Sequence, residues 1–219
     1  NGCEVVIPRG QACCGIPAVS SGDAKTFEKL TRHNLERFGA EDCDYLITAC
    51  ATCTATIHEV WPMLLRDTDI RERVRDLADK TIDINQFLVK HVGISPGPSS
   101  PAGDAVVVTY HDPCHLKKSL GVAAEPRELI RANPAYELKE MPEPDWCCGL
   151  GGSFNLQYYE TSARIGRKKR DNIRSVDPAA VATGCPACMI QISDMLSKAG
   201  DRIAVRHPVE IYAESLGLI

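Results

Sequence analysis

No apolar run in this sequence approaches the length needed to cross a bilayer, and nothing in it resembles a signal peptide. Any work at a membrane is therefore expected to go through a partner. Positive charge is not in excess. The net charge of −4 at pH 7 sets the chain as a whole apart from nucleic-acid binders. No Ser-His-Asp set or paired carboxylates stand out, so hydrolytic chemistry is not expected. Cysteine, at 11 of 219 residues, is too sparse for a disulfide scaffold. A chain of this length can bury a core of its own and needs no disulfide staples. Its apolar share of 44% and charged share of 25% suit one large or two small globular domains.

What is present is a pattern among those cysteines: Cys3, Cys13, Cys14, Cys43, Cys50, Cys53, Cys114, Cys147, Cys148, Cys185 and Cys188. Paired spacings without a secretory signal read as metal or redox chemistry in a reducing compartment, and a cytoplasmic location is expected. The odd total also speaks against complete disulfide pairing.

The clearest break lies at 94–104, with three prolines and two glycines, and reads as a solvated linker. It divides a first domain, 1–93, from a second, 105–219. The halves repeat each other. A strand at Glu4–Ile7 precedes Cys13-Cys14-Gly15, and one at Tyr136–Lys139 precedes Cys147-Cys148-Gly149. Helices are expected at about 23–38 and 155–175, the second with Leu156, Tyr159, Ala163 and Ile173 on its inner face. Strands Tyr45–Thr48 and Ala180–Thr183 then lead into Cys50-x-x-Cys53 and Cys185-x-x-Cys188, each opening a helix, with Pro186 suited to a first turn. Matching cysteines are offset by 134 at the Cys-Cys pairs and 135 at the Cys-x-x-Cys pairs, which argues for duplication. Further strands are expected at 105–109 and 203–206, and helices at 69–79, 84–91, 125–132 and 208–216. The fold class is α/β: two tandem related domains with parallel sheets flanked by helices and cysteines at the carboxyl ends of strands.

The second half carries five such thiols. Cys114 sits in His111-Asp-Pro-Cys-His115 just after a strand, and Cys147, Cys148, Cys185 and Cys188 follow. A thiol at a helix N-terminus meets free N–H groups and the positive dipole end, which favour the thiolate that ligates metals. Two adjacent cysteines reach one site only through a sharp turn, which Gly15 or Gly149 permits. Zinc takes four ligands and a cubane cluster four thiolates, so five suggest a less regular cluster or one that opens during chemistry. The first half offers only Cys13, Cys14, Cys50 and Cys53. The repeat predicts a fifth thiol about 33 residues before Cys13, where there is no sequence. The chain is therefore expected to be a fragment whose first domain lacks its N-terminal part. At this truncated site zinc, a disulfide or no metal compete with a cluster. Cys3 and Cys43 have no counterparts and read as ordinary buried thiols. His111 and His115 read as supporting or capping groups, with ligation the sharper alternative. Arg164, Arg167, Lys168, Lys169, Arg170 and Arg174 read as a solvated basic face, with docking of an acidic partner the alternative. Gly149-Leu-Gly-Gly152 reads as turn geometry rather than a phosphate loop.

These motifs resemble the Cys-Cys-Gly cysteine-rich domain family, which includes heterodisulfide reductase B-like proteins and the iron–sulfur subunits of glycolate oxidase and lactate dehydrogenase complexes. The match covers nearly the whole chain. His111–His115, Cys147–Phe154, Gly184–Cys188 and His207–Tyr212 look most like the glycolate/lactate branch. The resemblance implies an electron-transfer role beside a flavoprotein that oxidises a 2-hydroxy acid, with activity alone not expected. It implies [4Fe–4S] clusters, noncubane in the heterodisulfide reductases, with zinc at one site in some members and metal readily lost in air. It further implies a ferredoxin-like partner domain, absent from this sequence, and contact with the inner face of a membrane only through partners. A thiol–disulfide reductase and a zinc-stabilised scaffold are the rival readings.

Overall fold

Short β-branched and apolar runs, each too brief to be stable alone, find partners in parallel pairs and are covered by amphipathic helices. The computed structural model describes residues 2–39, 42–97 and 105–219. Its strands are β1 (Leu46–Thr48), β2 (Thr81–Asp83), β3 (Val106–Tyr110), β4 (Tyr136–Leu138), β5 (Ala180–Ala182) and β6 (Ala204–Arg206). All pairings are parallel: β1 with β2 in one sheet, and the order β4-β3-β5-β6 in the other. Parallel neighbours need long crossovers, and the helices between the strands supply them. The expected α/β architecture with parallel sheets is what forms.

The chain divides into two compact units, Asn1–Asp83 and Ile84–Ile219. In the first, Phe27, Leu35 and Phe38 from the helix Ala24–Phe38 pack with Ile57, Trp61, Ile70, Val74 and Leu77. Asp23 caps that helix by accepting from Thr26 N at 2.9 Å. In the second, Val108 and Tyr110 of β3 and Ala180 and Ala182 of β5 pack with Ile130 and Ile211. Leu88 and Val89, grouped by the sequence with the first half, and Ile94, placed in the linker, pack here against Leu129, Ala132 and Tyr212. Two residues of the expected linker are also tied down: Ser95 N donates to Tyr212 Oη at 3.2 Å, and Gly97 N to Ala132 O at 2.8 Å. The remainder of that stretch, 98–104, lies outside the described residues.

Three local expectations differ from what forms. Glu4–Ile7 is not a strand: it pairs with none of the described strands, and Val5 and Ile7 stand 77% and 75% exposed. A β-branched run makes a strand only where a ladder partner exists. Thr81–Asp83, three residues between two helical patterns, does pair, with β1. The helix expected over 155–175 is broken at Tyr158 (φ −130°, ψ 50°) into Ser153–Gln157 and Tyr159–Arg174. The break turns the first piece away from the inner face of the second, leaving Leu156 exposed rather than in the core. Among the described residues no helix is long and apolar enough to cross a membrane.

Candidate metal centre

The order β4-β3-β5-β6 reverses direction between β3 and β5. Sites in open parallel sheets form beyond the carboxyl ends of the strands at such a switch point. Here β3 ends at Tyr110 and runs into His111-Asp-Pro-Cys114, and β5 ends at Ala182 and runs into Thr183-Gly-Cys185. The register Tyr110↔Ala182 brings these exits level, and His111 N donates to Ala182 O at 2.9 Å. Residues 71 apart in sequence thus emerge side by side.

Each thiol has its own local support. Cys185, in extended conformation (φ −142°, ψ 113°), caps the helix Pro186–Lys198, and Cys188 lies in its first turn. Cys147 and Cys148 are turned by Gly149, whose φ of 99° is left-handed. Gly149 N donates to Cys147 Sγ at 3.3 Å. A Cβ at Gly149 would lie 2.6 Å from Ser162 O. The turn is held from behind: Ser162 Oγ donates to Gly149 O at 2.8 Å, and Asn155 Nδ2 donates to Ser162 Oγ at 2.8 Å and to Gln191 Oε1 at 2.9 Å.

The thiols sort by depth. Cys148, Cys185 and Cys188 are buried, while Cys114 and Cys147 are exposed at the rim. Cys148 Sγ and Cys188 Sγ are 3.3 Å apart. Ligand atoms of His111, Cys148 and Cys188 all lie within 4.8 Å of one another, the one such grouping among the described residues. Hydrogen bonds from Cys147 and then Cys188 hold Cys148 far below the ordinary thiol range. The donors Cys188 and Cys147 are pushed up in turn, chiefly by their bonds to Cys148; the Cys114 thiol, not a donor to Cys148, is raised chiefly by desolvation. One thiolate ringed by thiol donors is a set poised to lose protons to a metal.

His111 is 1% exposed. Its Nδ1 lies 3.1 Å from Pro144 O, which requires a proton on that nitrogen and leaves the lone pair on Nε2. Nε2 is buried, and the imidazole lies against Cys148. An imidazole lone pair beside soft thiolates suits zinc or iron–sulfur chemistry.

The first unit repeats this geometry in part. Gly15 has φ 92°, Gly15 N donates to Cys13 Sγ at 3.5 Å, and Cys50 caps its helix at φ −137°, ψ 108°. Cys14 is buried, its carbonyl accepting from Trp61 Nε1 at 2.8 Å. Its thiol is lowered to about 6, mainly by a hydrogen bond from Cys53, which is itself pushed up by Cys14 and Cys50. Cys13 is exposed, and Cys50 and Cys53 are half-buried. Of Cys13, Cys14, Cys50 and Cys53, only Cys14 is buried, against three of the five thiols in the second set. Cys3 is exposed and Cys43 half-buried, so neither is the buried thiol the sequence suggested.

Of the two histidines read as supporting groups with ligation as the alternative, His111 is the one grouped with the thiols. The basic helix face differs from its reading as a solvated surface. Lys169 is fully buried, Lys168 pairs with Glu143 at 3.0 Å and lies over the Trp146 ring, and Arg170 and Arg174 both pair with Asp201. The signal was present: Ser162, Gly166, Lys169 and Ile173 share one buried stripe.

The family model described as the CCG cysteine-rich domain matches residues 1–58 and 108–193. The chain is 36% identical over 200 residues to a fumarate reductase (CoM/CoB) subunit of Methanothermobacter marburgensis, covering 91% of this chain and 37% of that protein. It is 35% identical over 198 residues to an uncharacterized iron–sulfur protein of Methanococcus maripaludis, covering 90% and 36%. It is 29% identical over 210 residues to lactate utilization protein A of Bacillus cytotoxicus, covering 96% and 86%. The chain thus spans about a third of the length of the two archaeal relatives and most of the bacterial one.

Proposed function

The chain belongs to the CCG cysteine-rich domain family, and from that premise we propose that it is an iron–sulfur electron-transfer module of a larger oxidoreductase. The observation that carries this is the grouping of His111, Cys148 and Cys188 within 4.8 Å at the switch point of the four-stranded sheet, with Cys147 hydrogen-bonded to Cys148 and Cys185 to Cys188. Cys114, Cys147, Cys148, Cys185 and Cys188 would hold the group, with His111 beside them. Cys13, Cys14, Cys50 and Cys53 would hold a second cluster or zinc. A cluster held there accepts and releases single electrons. The protein's own part is to keep Cys148 deprotonated, to exclude water from the inner thiols and to leave Cys114 and Cys147 at the surface, where a partner can approach.

The likeness to lactate utilization protein A supports a part in lactate use; the finer proposal is a lactate- or glycolate-oxidising complex in the cytoplasm, in which a flavoprotein subunit supplies the electrons. Anaerobic reconstitution with iron and sulfide, followed by metal analysis and EPR, tests the module. Cys148→Ser is expected to abolish the signal of the second site, and unchanged iron content in that variant would falsify the ligand assignment. A second reading is favoured by the 36% identity to the fumarate reductase (CoM/CoB) protein and by the exposed rim thiols. In that reading the site meets a small thiol or disulfide, and adding thiol to the loaded protein shifts its EPR spectrum. Colourless protein with stoichiometric zinc under strict anaerobiosis would instead support a structural scaffold.

A further inference from the structure

Lys169 is a charge without a carboxylate. Its Nζ donates to Glu143 O at 2.7 Å and Pro144 O at 3.1 Å, with Met141 Sδ at 3.8 Å. Glu143 is bent into left-handed backbone (φ 47°) where it meets this ammonium. A buried ammonium normally has a carboxylate partner. Here each nearby carboxylate is held by another cation. Asp112 pairs with Arg127 at 2.7 Å and Lys117 at 3.4 Å, Asp145 with Lys117 at 3.3 Å, and Glu143 with Lys168 at 3.0 Å. Among the described residues none lies within ion-pair distance of Lys169. Across Pro144 stands the second cysteine site: the same carbonyl that accepts from Lys169 also accepts from His111 Nδ1.

The first repeat serves as an internal control. Asn34 precedes Lys169 by 135 residues, the offset of the Cys-x-x-Cys pairs. It too is buried on the helix behind a Cys-Cys-Gly turn. It fastens the preceding backbone with neutral bonds, donating to Ala12 O and Cys13 O and accepting from Ala12 N. A neutral amide therefore suffices to clamp the loop. The charge at Lys169 exceeds what clamping needs, and its burial must be offset by negative charge nearby.

We infer that Lys169 is the counter-charge of the second cysteine site, stabilising its thiolates and, once a cluster is held, raising the cluster's reduction potential. The second half of this statement rests on the cluster reading above. A fixed positive charge favours whichever redox state carries more negative charge, and in a dry interior it is weakly screened. Burial lowers Lys169 to about 8, so it stays protonated at neutral pH; at longer range Asp145 and Asp112, and after them Cys148, help retain the proton.

Three variants of the full chain test this. Lys169→Gln keeps an N–H donor for the two carbonyls and drops the charge, Lys169→Arg keeps the charge, and Lys169→Met drops both. After anaerobic reconstitution, iron and sulfide are counted and the midpoint potential is followed by EPR at one neutral pH. The Gln variant is expected to retain its iron and titrate at lower potential, with Arg close to the parent. Equal potentials in the parent and the Gln variant overturn the inference. The same proteins, metal-free, are treated with iodoacetamide and each cysteine is followed by peptide mass spectrometry. Loss of the charge is expected to slow the second-site thiols several-fold relative to those of the first site, and an unchanged ratio overturns the inference equally. A parent chain that takes up no iron sinks the cluster reading alone, because the alkylation comparison still decides what the charge does. If the Met variant fails to fold, Gln against Arg carries the comparison.

Discussion

A single missing Cβ decides whether the second site can form. At Gly149 any other residue meets backbone: the added atom would lie 2.6 Å from Ser162 O and 3.1 Å from Gly166 N, at a φ of 99°. Gly149→Ala is therefore expected to cost roughly 2–4 kcal/mol, from left-handed strain plus displaced backbone, measured by urea unfolding. Gly15→Ala should cost less, because its Cβ meets the Phe27 ring edge at 2.8 Å and a ring can rotate away. Equal losses at the two glycines would argue against this account. Lys169 makes a pH prediction for the metal-free protein. Its folded value, about 8, lies below the unfolded value near 10.4, so in that window the unfolded chain holds more protons. The penalty is full below pH 8 and is relieved as pH rises toward 10.4, by up to roughly 3 kcal/mol. The stability difference between Lys169→Gln and the parent should shrink across that interval. A difference that stays flat from pH 7 to 10 would show that the lysine is not desolvated.

The helix Tyr159–Arg174 acts as a strut behind the Cys-Cys-Gly turn. Ser162 holds Gly149 O, Lys169 holds the 143–144 carbonyls, and Arg170 and Arg174 fasten its last turns to Asp201. Ser162→Ala leaves Gly149 O, Asn155 and Gln191 short of a buried partner and is expected to cost about 1–3 kcal/mol. Iron retention should fall by more than the stability loss alone explains, which comparison with a core variant of similar cost, such as Ile192→Val, checks. The sequence supplied this element but not its break at Tyr158, because a helical pattern of apolar residues carries no mark of where the backbone leaves it. β1, β3, β4, β5 and β6 were legible as apolar runs of the right length. β2 was not, since Thr-Ile-Asp is too short to show a period. Glu4–Ile7 shows the opposite error, a convincing run without a partner. Of the site, the cysteines were legible through spacing and repetition. The tautomer of His111 and the burial of Lys169 were not, because both depend on where the Pro144 carbonyl points.

At the scale of the molecule, two units of unequal completeness share one plan. Among the described residues the second has a four-stranded sheet and a His-Cys-Cys grouping, the first a two-stranded sheet. The boundary after Asp83 makes its own prediction. A fragment of residues 84–219 should unfold in one cooperative step and take up as much iron at its site as the whole chain. A fragment of 95–219, without Leu88, Val89 and Ile94 against Leu129, Ala132 and Tyr212, should be weaker by roughly 2–4 kcal/mol. Equal melting temperatures would place the boundary later. The strand order carries a consequence in time. β3 and β5 become neighbours only after β4 and the helix Tyr159–Arg174 have been laid down between them. Cys114 therefore leaves the ribosome 74 residues ahead of Cys188 and waits without its partners for several seconds at ordinary elongation rates. Until Cys188 emerges, the grouping of His111, Cys148 and Cys188 cannot close, whatever it goes on to hold.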